Sequence, residues 1–429
     1  MALHKFGGNK MNKHSNGKIK SVAIVGAGPA ASTLATLLAR DGVKVALLHR
    51  PRAAALLVGE SLVPAIILIL RWLGVEDEVR SYGKYKPGAI FNMNEWGDFP
   101  FTFRDFCGKL PDYAYNVPRI KFEATLMGCA KRAGAKVIET EAKVERVAGE
   151  DKVRLSAETL AACGDFFSGQ PDLIVDATGR ARVVPKLLDI PSREGGRKDT
   201  ALFAHLDKAE LYKSGYVHSS RLDHGWSWRI PLQDRVSLGI VIPSEHALKA
   251  GATPEERYDN LLKQDSYLRT VTVGSKRLTP VMEYTNYQLV SSRLVGDGWA
   301  LVGDTAGFID PVFSSGLLIG LTSATELADA IHDGGAAAFQ KYERGVIHHL
   351  KTWHEIVNYY YDGRMFTSFR VGEMMRRNPF IRMSYPHINK HMGRIFTGQA
   401  GKAAYSMAMM RFLMKYGLKN EDPKAMAIR

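Results

Sequence analysis

Cysteine is scarce. Cys107, Cys129 and Cys163 are the only three in 429 residues, odd in number and far apart. Such spacing supports neither a disulfide framework nor a metal knuckle, and a reducing cytoplasm is the simplest setting for it. His348, His349 and His354 cluster without cysteine or carboxylate spacing, so no metal site is expected. Long apolar runs are also missing. The longest, residues 62–73, is interrupted by Pro64 and Arg71, well short of the roughly eighteen residues of a spanning helix. The opening MALHKFGGNKMNKHSNGKIK has no apolar core segment and does not read as a secretory signal. Residues 1–18 are expected to be a flexible basic tail.

What is present is an ordinary enzyme composition, 45% hydrophobic and 24% charged, enough to bury a large core. The net charge of +14 is uneven: from Lys341 onward there are 16 Lys/Arg against 6 Asp/Glu. This is either a solvated basic face or a docking face for an anionic partner: a carrier protein, an acidic reductase or a membrane surface. No nucleic-acid motif accompanies the charge, so nucleic acid is not an expected partner. The same region is helical in pattern and holds ten of the fifteen methionines. Core packing is the default role for them, a lid or docking surface the sharper one.

The clearest motif lies near the start. SVAIV, then GAGPAAS, an Ala/Leu-rich helix and VKVALL read as strand, turn, helix and strand. Gly26, Gly28 and Ala31 occupy the GxGxxG/A positions: Gly26 for the tight turn, Gly28 for close approach of a pyrophosphate, Ala31 for helix–strand packing. The helix N-terminus would aim free N–H groups at the phosphates. Where an acidic residue normally holds the ribose, the chain has His49, followed by Arg50, which could face a phosphate or the adenine.

Three further segments resemble those of FAD-dependent aromatic hydroxylases and halogenases. VPRIKFEATLMGCAKRAGAKV places Arg119 at the head of a helix, where the resemblance implies a place along the FAD phosphates. PDLIVDATGR ends a strand at Asp176 and Gly179, beneath the cofactor. WALVGDTAGFIDPVFSSGLLIGL carries Gly303 and Asp304, the latter matching the carboxylate that accepts a hydrogen bond from the ribityl chain, with a helix start near Gly316 on the pyrimidine side. No second nucleotide turn is visible, so a nicotinamide domain is not expected.

Over about residues 20–345 the chain resembles the two-component flavin-dependent halogenases. Gly59-Glu60-Ser61-Leu62-Val63-Pro64 looks like the family's GES segment, and the resemblance implies catalytic roles for Glu60 and Ser61 on the route from flavin to substrate. Gly225-Trp226-Ser227-Trp228-Arg229-Ile230-Pro231 fits WxWxIP, and alternation puts Trp226, Trp228 and Ile230 on one strand face. With Pro231, Phe308, Pro311 and Phe313 they would form a partition keeping the organic substrate from the flavin. Phe308, Pro311, Ser314 and Gly316 fit FxxPxxSxG, and N–H groups at Ser314, Ser315 and Gly316 would hold chloride or bromide. Lys86, in a Lys-x-Gly context, is the expected catalytic lysine, with Lys84 as the fallback.

The resemblance implies FADH2 from a separate flavin reductase, oxygen and halide giving hypohalous acid, and a lysine relaying it to an electron-rich aromatic ring. Phe313 stands where tryptophan-directed members carry Glu. That points to a phenol or pyrrole substrate, free or tethered to an acyl or peptidyl carrier. The expected architecture is α/β, a Rossmann-like FAD-binding fold with an inserted, mainly antiparallel sheet and a C-terminal helical region. Residues 19–80, 116–190 and 285–345 would bind FAD, 81–115 and 191–284 would form the substrate sheet, and 346–429 the basic helices. A flavin monooxygenase or dehydrogenase of the same fold, and a non-catalytic flavin- or carrier-binding subunit, are the alternatives. The expected location is the cytoplasm, with peripheral membrane contact left open.

Overall fold

Valine, isoleucine and leucine dominate the segments that become central strands, because parallel strands covered on both faces are buried throughout. A computed structural model describes residues 19–50, 56–285, 288–375, 385–400 and 403–429. The tail expected over residues 1–18 lies outside them.

Six strands form the first sheet, in the order Val295–Gly296, Trp299–Leu301, Leu173–Asp176, Ser21–Val25, Lys44–His49 and Lys136–Glu139. All pairings are parallel except that of the edge strand Val295–Gly296. Helix Pro29–Arg40 crosses between the first two strands in sequence. It begins with Pro29 at its first turn, where the lost N–H would have no intrahelical partner.

A second, seven-stranded sheet runs Met282–Thr285, Asp199–Leu206, Val236–Pro243, Trp226–Pro231, Val217–Arg221, Gly88–Asn92 and Asp98–Thr102. Only the Val217–Arg221 pairing with Gly88–Asn92 is parallel. Alternate residues of strand Asp199–Leu206 split between two cores. Leu202, Ala204 and Leu206 pack with Tyr258 and Leu268 on one side, and Phe203 joins the main core on the other. The sheet is thus covered on both faces, and the tryptophan strand is buried at all six positions.

Helices dominate after Gly334. Helix Gly335–Tyr361 runs through position 345, so the division expected between 345 and 346 falls inside a continuous helix. The break lies instead at Gly334 and Gly335, both at positive φ, where a left-handed backbone ends the preceding helix. Met365, Met392, Met407, Met410, Met414 and Met426 are buried, the packing role expected by default. Among the described residues no helix is long and apolar enough to cross a membrane.

Candidate active site

The dinucleotide turn forms as its glycines require. Gly26 has φ +113, and an added Cβ would lie 2.4 Å from the Ala177 carbonyl oxygen. Gly28 caps the helix in an extended conformation, and a Cβ there would meet nothing within 4 Å, so the backbone is open to an approaching group. Ala31 is buried against the core. These features fit a pyrophosphate at the N-terminus of helix Pro29–Arg40.

Around this turn, Asp304 is half-buried, and no described group donates a hydrogen bond to its carboxylate. Burial pushes its pKa up to about 6, against the pull of Arg119 and Arg180. Gly303, at φ +64, fits against Ala30, with Cβ atoms that would stand 2.9 Å apart. Arg119 donates to the Val58 carbonyl at 2.8 Å and pairs with Glu123 at 2.9 Å, which fixes it beside Gly59. Gly179, at φ +62, donates its N–H to Thr305 Oγ1 at 2.8 Å. Asp176 is fully buried and accepts from Thr178 N, Thr178 Oγ1 and Val184 N, so it ties two turns together rather than facing a ligand. His49 is half-buried at the end of its strand. Arg50 is largely exposed and pairs with Glu141 at 3.0 Å.

The turn of the FxxPxxSxG segment is more constrained than its sequence suggests. Ser314 takes a left-handed conformation, φ 55, and caps the nineteen-residue helix Ser315–Asp333. Its N–H donates to Pro311 O at 2.8 Å. Ser315 is buried and its Oγ has no hydrogen-bond partner among the described residues. The next helical N–H groups have no intrahelical acceptor, so Ser315 and Gly316 together offer donors at the positive end of a helix dipole, a place for an anion. Phe308 and Pro311 are half-buried beside this turn, and Phe313 is buried against Phe91, Tyr360, Phe396 and Trp353.

Trp226 and Trp228 stand side by side, ring centroids 5.7 Å apart. Trp228 lies over Gly239, where a Cβ would come within 2.1 Å of the ring. Trp226 Nε1 donates to Tyr361 Oη at 2.9 Å, and Tyr361 donates to Asp310 Oδ2 at 2.7 Å. Asp310 also caps the turn through Val312 N. The tryptophan strand, the turn Pro311–Phe313 and the end of helix Gly335–Tyr361 are therefore joined by one hydrogen-bond chain. Ile230 and Pro231 are buried further along the same strand.

Lys86 is 3% exposed. Its Nζ donates to Ser61 Oγ at 2.7 Å and to Leu62 O at 2.8 Å, and it lies 5.2 Å from the centre of the Phe103 ring. Burial lowers its pKa to about 7. Lys84 is half-buried beside a solvent-open groove with Asp207, Lys208 and Arg235. Glu60 is buried and both of its oxygens contact His205 Nε2, at 2.9 and 3.1 Å.

The model of the tryptophan halogenase family matches residues 21–111 and 104–369. The chain belongs to this family, whose members are FAD-dependent oxidoreductases. It is 30% identical to a tryptophan 2-halogenase of Chondromyces crocatus over 357 residues, covering 80% of this chain and 67% of that protein. It is 27% identical over 384 residues to a 1H-pyrrole-2-carbonyl-[peptidyl-carrier protein] chlorinase of Pseudomonas fluorescens, covering 81% and 85%. The fold matches that of the flavin-dependent brominase Bmp2, with a TM-score of 0.75 at 21% identity over 94% of this chain and 100% of that one.

In this halogenase-family chain, three residues of the site carried no usable signal or were passed over. Asp310 lies inside the FxxPxxSxG segment but reads as a turn former. Tyr361 ends an aromatic-rich helix and is one tyrosine of three in a row. His205 is a lone histidine in a strand, and its partner is 145 residues away.

Proposed function

We propose that this protein halogenates an electron-rich aromatic ring of phenol or pyrrole type, with Lys86 relaying the oxidised halide. The observation that carries this reading is the Lys86 ammonium site: buried, held by two neutral oxygens, and lowered by burial to about 7. At neutral pH such a lysine exchanges readily between ammonium and amine.

Reduced FAD, when bound, supplies the electrons that activate dioxygen for halide oxidation. Gly26, Gly28 and the helix N-terminus behind them would hold its pyrophosphate, and Asp304 would accept a ribityl hydroxyl. The N–H groups of Ser315 and Gly316, with the unpartnered Ser315 hydroxyl, suit chloride or bromide. Trp226, Trp228, Phe308, Pro311 and Phe313 would exclude the organic ring from the flavin and water from the path. Lys86 as ammonium would hydrogen-bond hypohalous acid. As amine it would take the halogen and release water. Electrophilic substitution then passes the halogen to the ring, which loses a proton.

Phe313, packed among aromatic rings, leaves no carboxylate beside Ser314, and this favours a phenol or pyrrole over tryptophan. A separate flavin reductase would supply FADH2. The basic C-terminal region suits an acidic reductase or carrier protein, and the pyrrole chlorinase relative makes a carrier-tethered ring a specific candidate. Residues 19–80, 116–190 and 285 to about 334 would serve as the cofactor-binding unit. Three free cysteines fit a cytoplasmic setting.

Incubation with a flavin reductase, FAD, oxygen, bromide and a panel of phenols and pyrroles, free and carrier-loaded, tests this. Ring-brominated product with the paired isotope peaks of bromine is expected. Hydroxylated product, or NADPH oxidation without a reductase, would replace the reading with a monooxygenase.

A further inference from the structure

Strand Asp199–Leu206 belongs to the substrate sheet, and its residues alternate between the two cores. His205 points to the same side as Phe203, the side on which Phe203 meets Trp228 at 5.8 Å between ring centres. Register places His205 opposite Ser237, and Ser237 opposite Ile230, so all three share the tryptophan face.

Glu60 reaches this face from the GES segment. That segment is zipped to the strand Ala114–Asn116 and its neighbour: Leu62 N donates to Tyr115 O at 2.9 Å, and Val117 N donates to Glu60 O at 2.7 Å. The strand Ala114–Asn116 in turn pairs with Lys84–Lys86, which carries the lysine. Residues 60–62 therefore supply both oxygens that hold Lys86 Nζ, while the Glu60 side chain spans to the opposite wall of the site. Both partners of that span are buried, Glu60 at 2% and His205 at 5% exposure. A lone carboxylate would be very costly in such a place, so the pair exists only as a bonded unit.

We propose that His205, through Glu60, is a positioning residue for Lys86: it fixes Ser61 Oγ and Leu62 O relative to the tryptophan wall and so fixes where the ammonium sits. The inference rests on the lysine relay proposed above. Neither Glu60 nor His205 touches the reacting atoms in this role. The pair acts by holding three residues of backbone in register between two sheets.

The test compares His205→Leu, which deletes the contact, with His205→Gln, whose amide N–H can still donate to Glu60. Two readouts are taken on full-length protein that retains a cooperative thermal transition. The first is reductive ¹³C-methylation, followed by NMR, with the Lys86 signal assigned by its loss in Lys86→Arg. Lys86 is expected to resist labelling in wild type and in His205→Gln, and to become labelled in His205→Leu. The second is the ratio of halogenated product to released hydrogen peroxide under supplied FADH2. It is expected to fall at least tenfold in His205→Leu, with FAD affinity and substrate KM unchanged, and to recover in His205→Gln.

Equal protection and equal coupling in His205→Leu would overturn the clamp, as would loss of both readouts in His205→Gln and His205→Leu alike. A wild-type protein that makes no halogenated product would sink the relay. The labelling pattern would still decide whether His205 positions Lys86.

Discussion

A lysine with nothing but neutral oxygens around its ammonium group costs stability whenever it is charged. Unfolded, Lys86 keeps its ordinary value near 10.5, and folded it lies at about 7. Between these values the unfolded chain binds the extra proton, so stability rises with pH across that window. Below pH 7 the full penalty is present, on the order of 3–5 kcal/mol. Lys86→Met removes the charge but leaves Ser61 Oγ and Leu62 O without their donor, a loss of about 1–3 kcal/mol. The variant is therefore expected to be more stable than wild type at pH 6, with the advantage gone or reversed by pH 9.5, as read by urea unfolding. A constant difference across pH would mean that Lys86 titrates normally. The same variant should retain FAD binding and lose halogenation. Lys86 stood out in the sequence only through the resemblance of Lys86-Pro87-Gly88 to the family's Lys-x-Gly context. Its deep burial was not legible, because Lys84 stands two residues earlier on the same strand and alternation puts both lysines on one face.

At the scale of elements, strand Trp226–Pro231, the turn Pro311–Phe313 and helix Gly335–Tyr361 are joined through the Tyr361 hydroxyl. Tyr361→Phe keeps the ring and deletes the hydroxyl, so Trp226 Nε1 loses its acceptor in a site closed to water. A destabilisation of about 1–3 kcal/mol is expected, with a shift in tryptophan emission as Trp226 relaxes. A larger effect on product coupling than on stability would show that the hydroxyl shapes the turn as well as the fold. An unchanged emission spectrum and denaturation midpoint would refute the link. Period-2 alternation foretold the strand and which tryptophans share its face, and the four flavoprotein segments foretold the first sheet. Helix Gly335–Tyr361 was harder to place. Its apolar spacing marks a helix, but nothing local says that Tyr360 packs on Phe313 in the turn ahead of helix Ser315–Asp333 and on Phe91 in strand Gly88–Asn92. Such contacts are set by how the sheets pack, which no single segment encodes.

For the whole molecule, Asp304 sets stability against the cofactor binding proposed for it. Burial raises Asp304 to about 6, so above that pH the apoprotein carries an ionised carboxylate that no described group hydrogen-bonds. Its unfolded value is lower, near 3.8. The folded state therefore holds the extra proton between about 4 and 6, stability falls as pH rises through that window, and the penalty is fully present at pH 7 and above. Asp304 keeps some solvent contact, which limits the penalty to about 1–2 kcal/mol. Asp304→Asn should thus raise the melting temperature of the apoprotein at pH 7.5. FAD, when bound, would stabilise the fold in proportion to the logarithm of its concentration over Kd, and the same substitution would weaken the acceptor that the proposed site offers to a ribityl hydroxyl. The FAD-induced rise in melting temperature should therefore shrink in Asp304→Asn even as the apoprotein becomes more stable. Thermal scans with and without saturating FAD read both quantities at once. If the substitution lowers apoprotein stability, or leaves the FAD-induced shift intact, Asp304 is an ordinary structural carboxylate and the cofactor's ribityl chain must find its acceptor elsewhere.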